Sequence, residues 1–263
     1  MEFLYPKSED GDKITLLLLV AQDQLTQAVC YEWDANESLR QATPRVTKKV
    51  LPLEDRLPTM LIPLTKTSSF MLVTTTSITV YQNKLDPQRL PSRYPLPVYE
   101  KESQKSPLWT RWARPLRNWL YNQKHDDIYL CREDGEITYL GIGTDGELEN
   151  QAHLGQLCCD VDAAFDILDI GYEGGDLLLA AGTTGDGGLF VQKARDHPRC
   201  VQKFMNWTPV TDSVVVKSED TTPSDIASDR LFVCSASSFS RGAVVELRHG
   251  VEAQIGLIVA LEE

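Results

Sequence analysis

One stretch constrains the fold of this chain more than any other, residues 176–193 with the sequence DLLLAAGTTGDGGLFVQK. Two apolar runs, Leu177–Ala181 and Leu189–Gln192, flank a glycine-rich segment from Gly182 to Gly188. Apolar runs bounded by glycines and joined by a short loop predict an antiparallel β-hairpin. Similar pairs of apolar runs occur on both sides of this stretch, and their repetition is the main signal in the sequence.

Four more units of the same kind are predicted along the chain. The clearest covers residues 127–143, where IYLCR and EITYLGI are joined by a turn that contains Asp134-Gly135. An Asp-Gly pair between two alternating strands is the strongest short-range signal for a hairpin. Thr, Val and Ile are frequent in the apolar runs, which favours strands, and helical periodicity is weak throughout. The chain is therefore predicted to be all-β.

The predicted hairpins recur at a nearly constant spacing. The centres of their first strands are placed at Leu17, Leu72, Leu130, Leu179 and Val233, and the steps between them are 55, 58, 49 and 54 residues. A repeated all-β unit of about 40–50 residues is typical of a β-propeller, in which each blade is a four-stranded sheet. We predict one domain over residues 1–263, a closed or incomplete ring of about five WD40-like blades at 3–50, 58–100, 108–158, 161–207 and 210–259. A β-sandwich is the alternative, because strand counts do not exclude it.

Three segments between the apolar runs predict loops and turns. Residues 36–49 are polar, residues 84–106 contain several prolines and many charges, and residues 144–150 are polar. Such composition is typical of exposed connections, because proline and short polar residues favour turns over regular strands.

The composition limits the classes of protein that need to be considered. The chain has 263 residues, and its hydrophobic fraction of 42% is typical of a globular protein. Its formal net charge of −12 argues against a protein that wraps nucleic acid over its whole surface. The longest apolar run, Ile14–Ala21, is too short to span a bilayer, and the N-terminus lacks the pattern of a signal peptide, so no membrane association is expected. Six cysteines without CxxC spacing are predicted to be buried, reduced thiols: Cys30, Cys131, Cys158, Cys159, Cys200 and Cys234.

Three motifs carry a resemblance to a known family of nuclear propeller proteins. They are LLAAGTTGDGGLFVQ at Leu178–Gln192, REDGEI at Arg132–Ile137, and LFVCSASSFSRGAVVELRHG at Leu231–Gly250. The ordered set resembles the first propeller of the family that contains the large subunit of the damaged-DNA-binding complex, the splicing factor 3b propeller subunit and the A subunit of the cleavage and polyadenylation specificity factor. The resemblance covers about Pro58–Gly256.

One segment carries residue chemistry that favours a binding role, Trp109–Lys124 with the sequence WTRWARPLRNWLYNQK. Cations interleaved with tryptophans hold phosphates while stacking bases in single-strand binders, and they also concentrate binding energy in protein contacts. A third hypothesis is a blade strand whose tryptophans fill the space between sheets while arginine stems cover it. The candidate contact residues are Trp109, Arg111, Trp112, Arg114 and Arg117.

The remaining motifs predict no catalytic, metal or cofactor site. Gly182–Gly188 is followed by a strand rather than a helix, so it is interpreted as a structural turn and not a phosphate loop. Asp160, Asp162, Asp166 and Asp169 are interpreted as a solvated edge. A propeller hydrolase is an alternative, and it would require at least two of His125, His153, Asp162 and Asp166 to converge on one channel.

The resemblance implies a non-enzymatic scaffold of a nuclear complex that handles nucleic acid. The complex would be a ubiquitin-ligase adaptor for damaged DNA, a pre-mRNA splicing complex or a 3′-end processing complex. Its partners would be protein subunits of that complex, with nucleic acid contacted through the segment at Trp109, and the chain would be nuclear, with no cofactor. The alternatives are a propeller hydrolase and a truncated, non-functional fragment of a longer family member.

Overall fold

A computed structural model of the chain describes fifteen stretches of residues: 1–6, 11–23, 25–38, 43–65, 68–86, 88–98, 107–115, 125–168, 175–183, 185–194, 196–206, 210–216, 230–236, 241–248 and 254–260. These residues form twenty β-strands in five four-stranded antiparallel sheets, with a 3-10 turn at Leu53–Asp55. The all-β prediction is confirmed. Within these stretches there is no apolar helix of membrane-spanning length.

Each sheet is built from four strands that are consecutive in the sequence. Sheet 1 contains β1 (Glu2–Leu4), β2 (Lys13–Gln22), β3 (Leu25–Asp34) and β4 (Arg45–Val50). Sheet 2 contains β5 (Met60–Pro63), β6 (Phe70–Val73), β7 (Ser77–Tyr81) and β8 (Ser92–Pro95). Sheet 3 contains β9 (Trp109–Ala113), β10 (His125–Arg132), β11 (Glu136–Gly143) and β12 (Leu148–Gln156). Sheet 4 contains β13 (Ala164–Leu168), β14 (Asp176–Ala181), β15 (Gly187–Gln192) and β16 (Arg199–Phe204). Sheet 5 contains β17 (Val210–Val216), β18 (Arg230–Ala236), β19 (Arg241–Arg248) and β20 (Gln254–Ala260).

The two hairpins with the strongest sequence signals are both present. β10 and β11 pair antiparallel across the Asp134-Gly135 turn, where Gly135 has a φ of +85° that favours glycine. β14 and β15 pair antiparallel with Leu178 opposite Phe190, and Gly185 in their turn has a φ of +78°. Because a strand follows the second turn, its interpretation as a structural turn is confirmed.

The prediction of loops was wrong where the fourth strands lie. Nearly all of β4 overlaps the segment 36–49, β8 lies within the segment 84–106, and β12 begins inside the predicted turn 144–150. These strands are at the outer edge of their sheets, and β4 is exposed along nearly its whole length. An exposed edge strand keeps a polar sequence and tolerates a residue such as Pro95, so its sequence resembles that of a loop.

The chain divides into two compact units, of which the first contains sheets 1 to 4 and covers Met1–Gly182 and Asp186–Phe204. In this unit the first strands of successive sheets contact each other, β1 with β5, β5 with β9 and β9 with β13. Apolar side chains fill the space between neighbouring sheets. Fully buried examples are Leu17 and Phe70 between sheets 1 and 2, Met71 and Leu130 between sheets 2 and 3, and Cys131 and Leu178 between sheets 3 and 4.

The second unit covers Thr183–Gly185 and Met205–Glu263 and contains sheet 5. Its first strand, β17, is exposed along its whole length. The Asn206 side chain donates hydrogen bonds to the carbonyl oxygens of Thr183 and Gly185, at 3.2 and 2.8 Å. This amide attaches the short segment Thr183–Gly185 to the rest of the unit.

Candidate interaction surface

Trp109, the first residue of β9, is a core side chain. Its relative exposure is 0%, and it belongs to the apolar cluster between sheets 2 and 3. The Arg132 guanidinium lies 5.5 Å from the centre of the indole ring, and it is held there by Asp134 and Glu136. The structure therefore places the Trp109 indole in the core between sheets 2 and 3 and not on the surface.

Arg114 connects sheet 3 to its neighbour rather than to solvent. Its side chain is only 6% exposed, and its Nε donates to Oδ1 of Asp126 at 2.7 Å. Its Nη2 donates to the Pro63 carbonyl oxygen, at the end of β5, at 2.5 Å. The backbone N–H of Thr65 donates to the same carboxylate at 2.6 Å. The guanidinium and the carboxylate therefore form a buried ion pair that links sheets 2 and 3 inside the first unit.

Arg111 is directed towards the next sheet along the chain. Its guanidinium donates a hydrogen bond to the carbonyl oxygen of Asp162, in the segment that leads into β13, and another to the Thr110 carbonyl oxygen at 3.3 Å. The side chain is half-buried. Two of the predicted cations on this segment thus satisfy internal acceptors.

Trp112 is the one described member of the predicted set that combines partial exposure with an aromatic ring. It packs against the core between sheets 2 and 3, with the Arg114 guanidinium 5.1 Å from its ring centre. Arg117 lies outside the described residues. A contact role for the predicted set stays a prediction. The buried Trp109 agrees with the hypothesis of a blade strand whose tryptophans fill the space between sheets, whereas the Arg114 guanidinium is buried in an ion pair and does not extend into water.

The residues that the hydrolase hypothesis would bring together form separate interactions. His125 Nδ1 lies 3.0 Å from a Glu149 carboxylate oxygen, and His153 Nδ1 lies 3.3 Å from one of Glu136. Among the described part of the chain, no group of three or more His, Cys, Asp and Glu side chains is arranged to hold a metal ion. These two histidines therefore contact carboxylates on the strands of sheet 3.

The cysteines were predicted to be buried, and three of them are. Cys30, Cys131 and Cys159 are buried, Cys200 and Cys234 are half-buried, and Cys158 is exposed. Burial is the main cause that raises the pKa of Cys30 and of Cys159 to about 11 each. Cys158 and Cys159 follow the end of β12, where consecutive side chains point to opposite sides, so only Cys159 of this adjacent pair enters the core.

A buried carboxylate that the sequence did not reveal fixes the segment between sheets 1 and 2. Asp55 is 0% exposed and accepts hydrogen bonds from the Tyr81 hydroxyl at 2.6 Å, the Thr79 hydroxyl at 2.7 Å and Arg93 at 3.0 Å. Burial, followed by the hydrogen bond to Asp55, raises the pKa of Tyr81. Glu54, which precedes Asp55 in the sequence, remains largely exposed, and nothing in the sequence distinguishes these two acidic residues.

Sheet 1 presents an apolar face that points away from its core contacts with sheet 2. One row crosses all four strands, because Phe3 is opposite Leu16, Leu16 is opposite Tyr31 and Tyr31 is opposite Val46. Phe3 is 60% exposed and Val46 is 45% exposed. We call this surface the open face of sheet 1, formed by Phe3, Leu16, Leu18, Val20, Tyr31, Val46, Lys48 and Val50.

The open face lies on sheet 1, whereas the sequence placed the candidate contact residues at Trp109–Lys124. Contiguous exposed apolar patches on a folded protein mark sites of interaction. The β2 sequence KITLLLLVAQ is a nearly continuous apolar run, which is typical of a strand whose two faces are both covered. In the structure one side of β2 is buried through Leu17, whereas Val20 on the other side is exposed.

Comparison with known proteins identifies the family and the fold. The family model for the first β-propeller of RSE1, DDB1 and CPSF1 matches residues 1–205. The match therefore includes the first sheet, which lies before the segment where the sequence motifs placed the resemblance, and it ends one residue after the first unit. The prediction of a β-propeller is confirmed.

Two other comparisons add little. A search of curated protein sequences gave no match. Among solved structures, the chain is similar to BBS1N as seen in a mercury-soaked crystal of its complex with ARL6DN. The sequence identity is 12%, the alignment covers 87% of this chain and 78% of that chain, and the TM-score is 0.36.

Proposed function

This chain belongs to the RSE1/DDB1/CPSF1 first β-propeller family, and we propose from that premise that it is a non-enzymatic protein-interaction scaffold of a nuclear complex that processes nucleic acid. The family match over residues 1–205 is the observation that carries the proposal. The complex would belong to one of three types: a ubiquitin ligase for damaged DNA, a splicing complex or a 3′-end processing complex.

The open face of sheet 1 is the surface where a partner would bind. Its occupant would be a protein subunit with an apolar contact surface and a carboxylate opposite Lys48, the one charged member of the open face. The exposed apolar area is supplied by Phe3, Val20, Val46 and Val50. Complete burial of a fully exposed side chain of this kind contributes about 1.5–3 kcal/mol, and burial of these half-exposed side chains contributes about half of that each. The formal net charge of −12, together with the inward-directed Arg111 and Arg114, favours protein over nucleic acid as the occupant.

Affinity capture from nuclear extract tests the function. The intact chain is used as bait, and recovery of cullin-ligase, splicing or cleavage-factor subunits identifies the type of complex. The variant Phe3→Ser/Val46→Ser should reduce the recovery of that subunit at least about tenfold, because two exposed apolar contacts are lost.

A matched control separates the open face from general surface hydrophobicity. The variant Leu57→Ser/Leu90→Ser changes two apolar side chains that are 85% and 89% exposed and lie outside the open face, and it should capture as much as the unchanged chain. Equal recovery with both variants would contradict the assignment of the surface. A bait that recovers no nuclear subunit would contradict the scaffold function itself.

A further inference from the structure

A small cleft in the first unit lies where the last two strands of sheet 4 are joined. It has a volume of about 310 Å³ and is lined by Val191, Lys193, Asp196, His197 and Arg199. Val191 is near the end of β15 and is buried, whereas Arg199 is the first residue of β16 and is exposed. The cleft is therefore formed by one short connection and the two strands that it joins.

The connection is rich in positive charge although the chain as a whole is acidic. Its sequence at 193–199, KARDHPR, contains three Lys or Arg residues, one His and a single Asp, whereas the whole chain has 38 acidic and 26 basic side chains. Of the described side chains that line the cleft, Lys193 and Arg199 are cationic and Asp196 is the one carboxylate. Such a local excess of positive charge attracts a small anion, whereas the net charge of −12 repels a long polyanion.

A buried amide fixes the backbone of this connection. The Gln192 side chain is 4% exposed, and its Nε2 donates to the carbonyl oxygens of Lys193 at 2.8 Å and of Asp196 at 2.7 Å. The backbone N–H of Asp196 also donates to the Lys193 carbonyl oxygen, at 3.2 Å. The turn that carries Lys193 and Asp196 is thus held in place before a ligand binds, which lowers the cost of ordering the site.

The imidazole of His197 is fixed against the neighbouring sheet. Its Nδ1 donates to the carbonyl oxygen of Leu154 in β12 at 3.1 Å, since a carbonyl oxygen only accepts. A Cβ at Gly155 would lie 2.5 Å from the same nitrogen, and the φ of +110° at this residue favours glycine, so the ring packs closely on the β12 backbone. Nε2 is the polar ring atom that remains for a ligand in the cleft.

Two cations beside an imidazole match the chemistry of a phosphate group. A phosphorylated side chain carries a charge of about −1.5 to −2 at pH 7 and three acceptor oxygens. The Arg199 guanidinium suits bidentate contact with two of these oxygens, and the Lys193 ammonium supplies a point charge. The volume of the cleft is at the lower end of the range for ligand sites, about 300–1,000 Å³, so a compact group fits better than an extended one.

We propose that this cleft is a binding site for a phosphate group, held by Lys193 and Arg199 against the His197 ring. The phosphate would come from a phosphorylated side chain of a partner protein or from a free small phosphate. A carboxylate offers the same cations less charge and two oxygens instead of three, so it would bind more weakly. The site lies on sheet 4 and not on the open face of sheet 1, and it does not depend on the proposed scaffold function.

Nuclear magnetic resonance of the histidine side chains in the intact chain tests the proposal. The chain has four histidines, and the variant His197→Gln identifies the signal of His197. A short peptide with a central phosphoserine should move that signal in a saturable way, with a dissociation constant of about 0.1–5 mM, because the site is exposed and makes few contacts. The same peptide with serine should leave it in place. The signals of His125 and His153, which contact carboxylates on sheet 3, should not move.

Substitutions of the lining charges separate this site from general attraction to cations. Arg199→Gln and Lys193→Gln should each weaken phosphopeptide binding about three- to tenfold, and Asp196→Asn should strengthen it about two- to threefold. Lys203→Gln is the matched control, because Lys203 lies on the same strand as Arg199, is 67% exposed and pairs with Asp186 at 3.8 Å outside the cleft. It should change the dissociation constant by less than about twofold.

Two further probes define the ligand. Inorganic phosphate distinguishes the sources, since binding at least as tight as that of the phosphopeptide would identify a free phosphate, and weaker binding would identify a phosphorylated side chain. A peptide with glutamate in place of phosphoserine should bind at least about fivefold more weakly. Equal binding of the glutamate peptide, an unmoved His197 signal, or the same loss with Lys203→Gln as with Arg199→Gln would each overturn the proposal.

Discussion

Replacement of Arg114 by methionine removes the charge that joins sheets 2 and 3 but keeps an unbranched apolar side chain. The side chains of Arg114 and Asp126 are 6% and 1% exposed, so both charges lie almost entirely out of water. The substitution deletes the hydrogen bonds to Asp126 at 2.7 and 3.4 Å and the hydrogen bond to the Pro63 carbonyl oxygen at 2.5 Å. Asp126 keeps the Thr65 N–H as a donor.

Removal of one partner from a buried ion pair destabilises a protein by about 3–5 kcal/mol, because the other charge remains buried with fewer partners. We expect Arg114→Met to lower the free energy of unfolding of the first unit by that amount. The free energy of unfolding of a native protein is about 5–15 kcal/mol in total, so this loss is a large fraction of it. For a unit of this size it corresponds to a fall in melting temperature of about 6–20 °C.

Urea and thermal unfolding, followed by tryptophan fluorescence and circular dichroism, measure the loss. Arg89→Met changes an exposed arginine and is the matched control, with an expected effect below about 0.5 kcal/mol. The double variant Arg114→Met/Asp126→Leu removes both charges and should recover most of the stability, since an apolar replacement of a buried pair is often neutral. A decrease in the free energy of unfolding of less than about 1 kcal/mol for Arg114→Met would contradict the buried ion pair and indicate that the Arg114 side chain is exposed to solvent.

Three further substitutions test other parts of the structure by the same unfolding measurements. Gly135→Ala should cost about 2–4 kcal/mol, because its φ is +85° and the new Cβ would lie 2.4 Å from the Cys159 carbonyl oxygen, whereas Gly11→Ala has open space and should be neutral. Asp55→Ala should cost about 2–5 kcal/mol, because the buried hydroxyls of Thr79 and Tyr81 lose their acceptor, whereas the exposed Arg93 is solvated by water. The folded-state pKa of Cys30 is about 11 and its ordinary value is 9.0, so its contribution to stability is present below pH 9 and is lost as the pH rises towards 11. Cys30→Ala should therefore make the decline in stability between pH 9 and 11 shallower; an unchanged slope would contradict the assigned pKa.

The fold was predictable where local chemistry decides it. The Asp134-Gly135 turn and the glycines around Gly185 specify hairpins through backbone conformations that other residues adopt at a cost. The outer strands could not be recognised in the same way. β4 and β8 carry polar residues and a proline because they lie at exposed edges, and a sequence read alone does not show which polar segment pairs with a neighbouring strand.

The candidate contact segment was predicted from residue types that are ambiguous without their neighbours. Arginine beside tryptophan is typical both of binding surfaces and of strands that cover a core. The acceptors that decide between these roles are distant in the sequence, because Pro63 lies 51 residues before Arg114 and Asp162 lies 51 residues after Arg111. Only the packing of neighbouring sheets brings them together, so the internal role of these charges could not be predicted.

The inward direction of those charges changes the kind of binding that should be expected. A basic and aromatic surface would bind with an affinity that falls steeply as salt rises, because charges separated by solvent are screened within about 8 Å at physiological ionic strength. The open face of sheet 1 has exposed apolar side chains at Phe3, Val20, Val46 and Val50 and one charged member, Lys48. Partner capture through this face should therefore change by less than about threefold between 0.1 and 0.5 M sodium chloride. A tenfold or larger loss of captured subunit over that range would indicate that cations, and not the apolar row across sheet 1, hold the partner.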